Sequence, residues 1–457
     1  MNRRQLVASC TLIAAVVGLS DRAAAQSVPK LQFEKVTLPN GLEVILHQDH
    51  STPIVVVNTW YKVGSGDEKP GRTGFAHLFE HIMFMGSENV PVGQFDKWLE
   101  AAGANNNGST TEDRTNYYES APSNALPLAL WLDADRMGRL LPVMDQAKLD
   151  LQRDVVKNER RQRVDNVPYG KAFETTAAAL FPANHPYHWP VVGSMADLSA
   201  ASLEDVKQFF RTYYAPNNAT MVIAGDFNRD SALTWVNRYF GAIPRGPQLP
   251  PRPVVPVVTV PKDTFLVLED RVTLARVYET WKGERIYHEN DAPLDILASV
   301  LAGDKNSRLY KRLVFDMQVA QDVTAFNNST KLDGFFTIFV TPKPGQTPTQ
   351  MAQLVREEID KIVKDGITPR ELARALNTRR SSFLDQIASV LGKSDRLAEY
   401  NYFAGTPDWI QQDAARYDRV TAADVQRVAA QYLTKPKVVL TVVPQGKTDL
   451  MVKGGTE

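Results

Sequence analysis

One short segment carries most of the candidate chemistry of this chain. Residues 74–84 read Gly-Phe-Ala-His-Leu-Phe-Glu-His-Ile-Met-Phe. On a helix, His77 and His81 lie one turn apart on one face, which lets two imidazoles converge on a tetrahedral metal ion. Glu80 lies near that face without having to be a ligand, so its carboxylate is placed to take a proton from metal-bound water. The spacing is the His-x-x-Glu-His arrangement of the inverted zincins.

A third protein ligand would have to come from elsewhere in the chain. The predicted helix from Asp145 to Asp165 has one carboxylate, Glu159, on the face that also carries Leu149, Gln152 and Val156. By spacing alone Glu159 is a candidate, because a glutamate on a charged helix is usually solvated. The alternative interpretation of the whole motif is structural, with two core histidines and a surface glutamate on an amphipathic helix.

Composition places these residues in a globular protein. The chain has 457 residues, of which 43% are hydrophobic and 23% charged, enough apolar material for sizeable cores. Its 52 basic and 52 acidic residues cancel, whereas a nucleic-acid-binding protein normally carries a basic surplus. No run reaches about 18 apolar residues, so we expect no membrane span.

The first 25 residues predict an export signal. Arg3 and Arg4 precede an apolar stretch from Leu6 to Leu19, and three alanines at 23–25 supply a small-residue cleavage site. The paired arginines leave both the Sec and the twin-arginine routes open. Cleavage would remove Cys10, the only cysteine, so a metal site would use His and carboxylate ligands. We therefore expect a periplasmic or secreted protein.

A proline-rich segment divides the chain. Seven prolines lie between residues 244 and 261, and such a stretch holds neither a helix nor a central strand. We predict an N-terminal domain with the metal motif at 26–243, a linker at 244–261 and a second domain at 262–457. In the first domain, strands lie before and after a run of helices, which favours an α+β fold over alternating βαβ units.

The two halves are predicted to be related. Near the end of the first, an amphipathic stretch from Ser202 to Tyr213 is followed by a proline and an apolar strand. Near the end of the second half, the stretch from Thr421 to Tyr432 is likewise followed by a proline and an apolar strand. The interval from Asp205 to Asp424 equals the interval from Tyr213 to Tyr432. Duplication of one domain explains this match best.

Taken together, the motifs resemble those of the pitrilysin, insulysin and mitochondrial processing peptidase family, in its short two-domain subgroup. The segment 77–81 matches the zinc helix of the family. The segment 155–159 matches the segment with the third ligand, and Glu159 follows His81 at the distance found in the family pattern. Asn107-Gly108-Ser109-Thr110, with Asp113, Thr115 and Tyr117, matches a further family stretch, as do segments 185–193 and 214–218. The resemblance covers essentially the whole chain after the leader.

This resemblance implies roles for individual residues. His77, His81 and Glu159 would bind Zn²⁺, and Glu80 would be the general base that activates water. The strand containing Asn107, Ser109 and Thr110 would be an exposed edge that binds a peptide as an added strand. From the residues alone, the alternative for Asn107 is a turn residue. The family fold implies two related α+β domains, each a mainly antiparallel sheet packed with helices, facing each other like a clam shell.

Other positions separate this chain from the family pattern. Gln152 stands where the family often has a glutamate that supports the metal site, so zinc affinity or rate is expected to differ. Val314 and Gln321 stand where complete family sites carry an Arg and a Tyr that contact the substrate carbonyl. We therefore expect a heterodimer with a related chain that supplies this pair. The alternative is a monomer or homodimer that uses another group, such as Arg308, Lys311 or Arg312.

The sequence thus predicts a zinc-dependent endopeptidase acting on peptides or unfolded polypeptides. Two other functions stay open, a non-catalytic scaffold subunit of a related peptidase complex and a different zinc hydrolase such as an amidase. His185 and His188 are spaced like a metal pair on a helix, but Pro186 and Pro190 exclude an ordinary helix there. We interpret that segment as a structural loop.

Overall fold

The computed structural model describes residues 28–252, 255 and 258–454. The predicted leader at 1–25 and part of the predicted linker lie outside the described residues. None of the described helices is long and apolar enough to cross a membrane.

The first half of the chain builds a six-stranded sheet with helices packed on it. Its strands are β1 (Glu34–Thr37), β2 (Glu43–Gln48), β3 (Ile54–Tyr61), β4 (Asn105–Thr110), β5 (Thr115–Pro122) and β6 (Ala219–Gly225). Its helices are α1 (Phe75–Ile82), α2 (Gln94–Ala101), α3 (Leu126–Arg139), α4 (Gln146–Arg160), α5 (Ala172–Leu180), α6 (Met195–Ala200), α7 (Leu203–Tyr213) and α8 (Arg229–Phe240).

The second half builds a five-stranded sheet in the same manner. Its strands are β7 (Thr264–Asp270), β8 (Arg276–Lys282), β9 (Ala320–Ser329), β10 (Gly334–Pro342) and β11 (Val438–Pro444). Its helices are α9 (Asp291–Ala302), α10 (Pro348–Asp365), α11 (Pro369–Gln386), α12 (Val390–Glu399), α13 (Ile410–Asp418) and α14 (Ala422–Tyr432).

Apart from β1, which has no counterpart among the described strands of the second half, the two sheets share one topology. The strand order is β1-β2-β6-β3-β5-β4 in the first and β7-β11-β8-β10-β9 in the second. The pairs β2–β6 and β7–β11 are parallel, and the other pairs are antiparallel. The edge strands are therefore β1 and β4 in the first sheet and β7 and β9 in the second. The predicted α+β fold with mainly antiparallel sheets is confirmed.

The sequence repeat coincides with these elements. The interval along the chain from α7 to α14 equals the interval from β6 to β11, and the paired elements have the same lengths. Both helices begin with the same reciprocal cap, in which Ser202 pairs with Asp205 and Thr421 with Asp424. The matching topology supports the predicted duplication.

Each half contributes a helix to the sheet of the other half. Helix α12 packs on β3 and β6, where its Leu397 is buried with Trp60 and Val222. Helix α5 packs on β8 and β11, where its Ala172 is buried beside Leu440. These reciprocal contacts join the halves through apolar cores, and they fix α5 just after the helix that carries Glu159.

Candidate metal centre

The motif helix α1 is anchored at its beginning by a buried glutamate. The Glu68 carboxylate accepts hydrogen bonds from the backbone N–H groups of Gly74 (2.9 Å) and Ala76 (2.8 Å). These N–H groups have no partner inside the helix, so Glu68 satisfies them as a capping residue would. Gly74 has φ of +87°, a conformation that favours glycine. The start and direction of α1 are thereby fixed.

The buried face of α1 holds the helix against the core. Leu78 and Ile82 are fully buried, and the backbone carbonyl of Phe79 accepts a 3.2 Å hydrogen bond from the Tyr117 hydroxyl on β5. The opposite face carries His77 and His81, whose rings lie 4.8 Å apart at nearly a right angle. The i, i+4 spacing places both imidazoles on one face, as the sequence predicts.

Helix α4 brings Glu159 to the two histidines. Glu159 Oε2 lies 3.0 Å from His81 Nε2 and 3.6 Å from His77 Nε2. One ligand atom from each of the three residues falls within 4.8 Å of the others, the one such group of three found in the described part of the chain. The three predicted ligands are therefore brought together, and His185 and His188 are not part of this group.

Packing and one ion pair orient Glu159. Leu149, Gln152 and Val156, which the sequence places on one face of α4, are buried. The Gln152 amide donates to Met85 Sδ. Arg163, one turn after Glu159, binds Glu159 Oε1 at 2.9 Å and leaves Oε2 directed at the histidines.

The donor atoms fit a zinc ion. Glu159 Oε2 is buried and accepts no hydrogen bond from any described residue, although two imidazole nitrogens are near. A buried carboxylate oxygen without a donor is unfavourable, and a bound cation would satisfy it. Burial, together with the neighbouring His81, lowers the pKa of His77 to about 4, so its imidazole is neutral near pH 7 and can act as a ligand. Two imidazoles and one carboxylate form the donor set of several catalytic zinc sites.

Glu80 lies beside this group and is held from the edge strand. The Thr110 hydroxyl donates a 2.6 Å hydrogen bond to Glu80 Oε2. Burial raises the pKa of the Glu80 carboxyl above its ordinary value, although the Thr110 hydrogen bond opposes this. A methyl group on Gly108 would lie 3.0 Å from Glu80 Cγ, so the glycine lets β4 approach the glutamate closely.

The three residues predicted to bind substrate all lie on β4, but they face different ways. Thr110 contacts Glu80, whereas the Ser109 hydroxyl donates to Asn116 (2.6 Å). Arg114 donates to the Ser109 backbone carbonyl (2.9 Å). The Asn107 side chain is exposed. The alternation follows from the two-residue period of a strand, and it leaves Thr110 as the member of this set that contacts the predicted base.

Asp113, in the turn after β4, ties the site to the second half of the chain. Its carboxylate accepts hydrogen bonds from the Tyr187 hydroxyl (2.9 Å), from Arg252 (2.8 Å) and from the backbone N–H of Lys331 (2.9 Å). The Tyr402 hydroxyl donates to the Asp113 backbone carbonyl (2.9 Å). The sequence motif contained Asp113, but its partners are remote in sequence, and no local pattern indicated them.

Two family models match this chain. The one described as insulinase, peptidase family M16, matches residues 43–185, and the one described as the peptidase M16 inactive domain matches residues 200–379. Together they cover more than half of the chain. The first match contains the helix α1 motif and Glu159.

Among curated proteins, the chain is similar to the zinc protease PqqE of Helicobacter pylori. The two are 29% identical over 442 residues, which is 94% of this chain and 96% of the relative. The chain is also 22% identical, over 423 residues, to a probable mitochondrial-processing peptidase subunit beta of Arabidopsis thaliana, covering 89% of this chain and 77% of that protein.

Solved structures show the same architecture. The crystal structure of a protease from Helicobacter pylori has a TM-score of 0.83 at 27% identity, and the match covers 91% of this chain and all of that one. A peptidase M16 inactive domain from Pseudomonas fluorescens has a TM-score of 0.81 at 18% identity and covers 93% of this chain, a likeness that shows the fold alone.

Proposed function

Because this chain belongs to peptidase family M16, we propose that it is a zinc-dependent metalloendopeptidase that hydrolyses peptides or unfolded polypeptides. The observation that carries the proposal is the buried Glu159 Oε2, which has no hydrogen-bond donor among the described residues and lies within 3.6 Å of His77 and His81. A zinc ion held by these three residues would supply Lewis acidity to a carbonyl oxygen and to water.

Glu80 is the proposed general base. Its carboxylate lies beside the three ligands without belonging to their group, and Thr110 fixes one of its oxygens. A carboxylate so placed can accept a proton from the attacking water and then deliver it to the leaving amine. Both transfers use the same residue, which needs little movement between them.

The free edge of β4 is the proposed substrate platform. Within the described residues β4 pairs only with β5, so its outer edge offers unpaired backbone groups to an extended peptide. A peptide added as a strand would pass Gly108 and Thr110, two β4 residues that lie against Glu80. Folded substrates cannot pair in this way, which favours peptides and unfolded chains.

We further propose that the active form is a heterodimer. Val314 packs partly buried against the second core and Gln321 is exposed, and neither side chain can replace an Arg–Tyr pair at the carbonyl. Arg308 is engaged by Glu371, and Arg312 by Glu357 and Glu358, which argues against their use as substitutes. Phe315, beside Val314, is 71% exposed, an apolar surface that a partner chain could cover.

The predicted export signal at residues 1–25 supports a periplasmic or secreted location. Mass spectrometry of the protein from periplasmic extract tests this proposal. We expect a mature chain that begins near Gln26, and a full-length chain confined to the cytoplasm would contradict it.

The activity is tested by metal analysis combined with hydrolysis of a quenched fluorescent peptide. We expect close to one zinc per chain, cleavage that a chelator stops, and recovery on adding zinc. Metal-free protein that cleaves at the same rate would contradict the proposal. Activity on acyl amino acids but not on peptides would support an amidase instead.

The competing function is a non-catalytic subunit of a related peptidase complex. A scaffold has no need of the complete set His77, Glu80, His81 and Glu159, and this set argues for catalysis. Assays of the chain alone and mixed with a related chain carrying the Arg–Tyr pair separate the possibilities. We expect weak activity that rises on mixing, whereas full activity as a monomer, unchanged by the partner, would contradict the heterodimer.

A further inference from the structure

The dipeptide Asn-Gly occurs at two places in this chain, Asn40-Gly41 and Asn107-Gly108. In such a dipeptide the backbone nitrogen of the glycine can attack the side-chain amide of the asparagine, because no β-carbon hinders the approach. The folded structure decides whether this attack occurs, since the amide and the following nitrogen must both be free to move. The two sites differ in this respect, so one serves as an internal control for the other.

At Asn40 both reacting groups are held in place. The Asn40 side chain is buried, and its amide nitrogen donates hydrogen bonds to the backbone carbonyls of Phe240 (2.8 Å) and Ile243 (3.0 Å). The N–H of Gly41 donates to the backbone carbonyl of Leu38 (2.9 Å). The attacking nitrogen and the amide under attack are therefore both engaged by other groups.

At Asn107 the same two groups lie against each other on the surface. The Asn107 side chain is exposed on β4. The N–H of Gly108 donates a 2.8 Å hydrogen bond to Asn107 Oδ1. The nitrogen that would attack is therefore already beside the amide, and solvent water has access to the site.

The pairing of β4 directs the Gly108 nitrogen outward. The N–H of Thr111 donates to the backbone carbonyl of Arg114 (2.8 Å), and inward and outward backbone groups alternate along an antiparallel strand. Three residues earlier, the N–H of Gly108 therefore points away from β5, at the free edge. Because β4 pairs with one described strand only, a local opening that lets its backbone turn costs less free energy than an opening at the buried Asn40.

We propose that Asn107 is a site of spontaneous deamidation, a covalent modification of the edge strand. The Gly108 nitrogen loses its proton and bonds to Asn107 Cγ, and the side-chain nitrogen leaves as ammonia, which gives a cyclic imide. Water then opens the imide at either of its carbonyls, and the product is aspartate or isoaspartate. The net reaction consumes one water molecule and releases one ammonia molecule, with no change of oxidation state.

The modification changes the strand that lies beside the proposed base. Aspartate adds a negative charge at an exposed position of β4. Isoaspartate routes the main chain through the former side chain, which adds one backbone atom ahead of Gly108 and Thr110. This shift would disturb the pairing with β5 and the hydrogen bond from Thr110 to Glu80. The consequence for hydrolysis rests on the proposed peptidase function, whereas the modification itself does not.

Peptide mapping by mass spectrometry tests the modification. Purified protein is incubated in isotopically labelled water at mildly alkaline pH, which favours loss of the glycine N–H proton, and is digested at intervals. We expect Asn107 to take up label at least about tenfold faster than Asn40 in the folded protein, because Asn40 must first become exposed. In the denatured chain the two sites should convert at comparable rates. An Asn107 that stays as intact as Asn40 in the folded protein would overturn the proposal.

The Asn107→Gln variant tests the consequence for hydrolysis. Glutamine keeps the amide, but its longer side chain forms the corresponding ring far more slowly. We expect the parent to lose hydrolytic rate in proportion to its isoaspartate content, and Asn107→Gln to keep its own initial rate over the same incubation. Asn105→Gln, at another exposed asparagine of β4, is the matched control and should lose activity as the parent does. An equal loss in Asn107→Gln and the parent would overturn this consequence.

Two outcomes separate this proposal from the peptidase function. Deamidation of Asn107 in a protein that hydrolyses no peptide would support the modification and refute the peptidase. An active peptidase in which Asn107 stays intact would refute the modification alone.

Discussion

The hydroxyl of Thr110 donates a 2.6 Å hydrogen bond to Glu80 Oε2, and this contact joins the edge strand to the proposed base. It links two residues 30 positions apart. The resemblance to the family implied that Thr110 binds substrate, whereas its side chain holds Glu80. We therefore propose that Thr110 positions the proposed base, while its backbone remains available at the edge of β4.

Thr110→Val should lower kcat about 10- to 100-fold and change KM little, because a hydrogen bond to a charged group contributes about 1.5–3 kcal/mol while the strand backbone is preserved. Thr110→Ser keeps the hydroxyl and should restore most of kcat. Steady-state kinetics of both variants decide the matter. An equal loss in the two variants, or a loss expressed only in KM, would assign Thr110 another role.

Truncation of the Asp113 side chain should be among the most destabilising substitutions in this protein. Asp113→Ala removes the acceptor shared by Tyr187, Arg252 and Lys331 and leaves Arg252 with one carboxylate partner, Asp67. Removing one member of a buried charged network costs about 3–5 kcal/mol. Denaturant unfolding measures the change, with Asp360→Ala at an exposed position as control. A similar loss of unfolding free energy in the two variants would show that the hydrogen bonds to Asp113 contribute little to stability.

The spacing of His77, Glu80 and His81 predicted the active face of α1 because a helix fixes its own i, i+4 geometry. Glu159 is different, since it reaches the histidines only through the packing of α4 against α1. Its identification depended on the family resemblance. Glu68 and Arg163 were missed. The capping of α1 by Glu68 crosses a loop and follows no regular spacing, whereas Arg163 follows Glu159 by four residues, a spacing that could have indicated the ion pair.

Gln152→Glu should destabilise the protein without improving zinc binding. The Gln152 side chain is buried and its amide donates to Met85 Sδ, so a carboxylate there would lose this contact and gain no donor. We expect the free energy of unfolding to fall by about 1–3 kcal/mol. Gln208→Glu, on the exposed face of α7, is the matched control. Tighter zinc binding with unchanged stability would instead support the role that the family gives to a glutamate here.

Glu43 should make stability depend on pH in the acid range. Burial raises the pKa of its carboxyl, but hydrogen bonds from Lys35 and Lys62 outweigh burial and lower the pKa to about 2. Between about pH 4.5 and 2 the unfolded state therefore binds more protons, so the contribution of Glu43 is complete above this window and is lost as the pH falls through it.

The test compares the parent with Glu43→Gln. After allowance for partial solvent exposure we expect the variant to be less stable by about 1–2 kcal/mol at pH 6. The difference should shrink at pH 3. The unfolding free energies of the parent and of Glu43→Gln, measured at pH 6 and at pH 3, give this difference. A difference between the two proteins that is the same at both pH values would exclude Glu43 as the titrating group.

The predicted division of the chain rests on features visible in the sequence, whereas the way its halves meet has no such signature. The prolines at 244–261 and the constant interval between matching segments of the two halves are visible in the sequence. The exchange of α5 and α12 is not, because each helix buries few large apolar side chains and its partner sheet lies far along the chain.

The most direct test of the account measures zinc content and peptide hydrolysis together in Glu80→Gln and Glu159→Ala. Glu80 is the proposed base and Glu159 a proposed ligand, so the two substitutions should have different effects. We predict that Glu80→Gln keeps zinc at the parent level and loses about 10²–10⁴-fold in rate, whereas Glu159→Ala loses both zinc and activity. A Glu80→Gln variant within twofold of the parent rate, or a Glu159→Ala variant that binds zinc as tightly as the parent, would contradict the account.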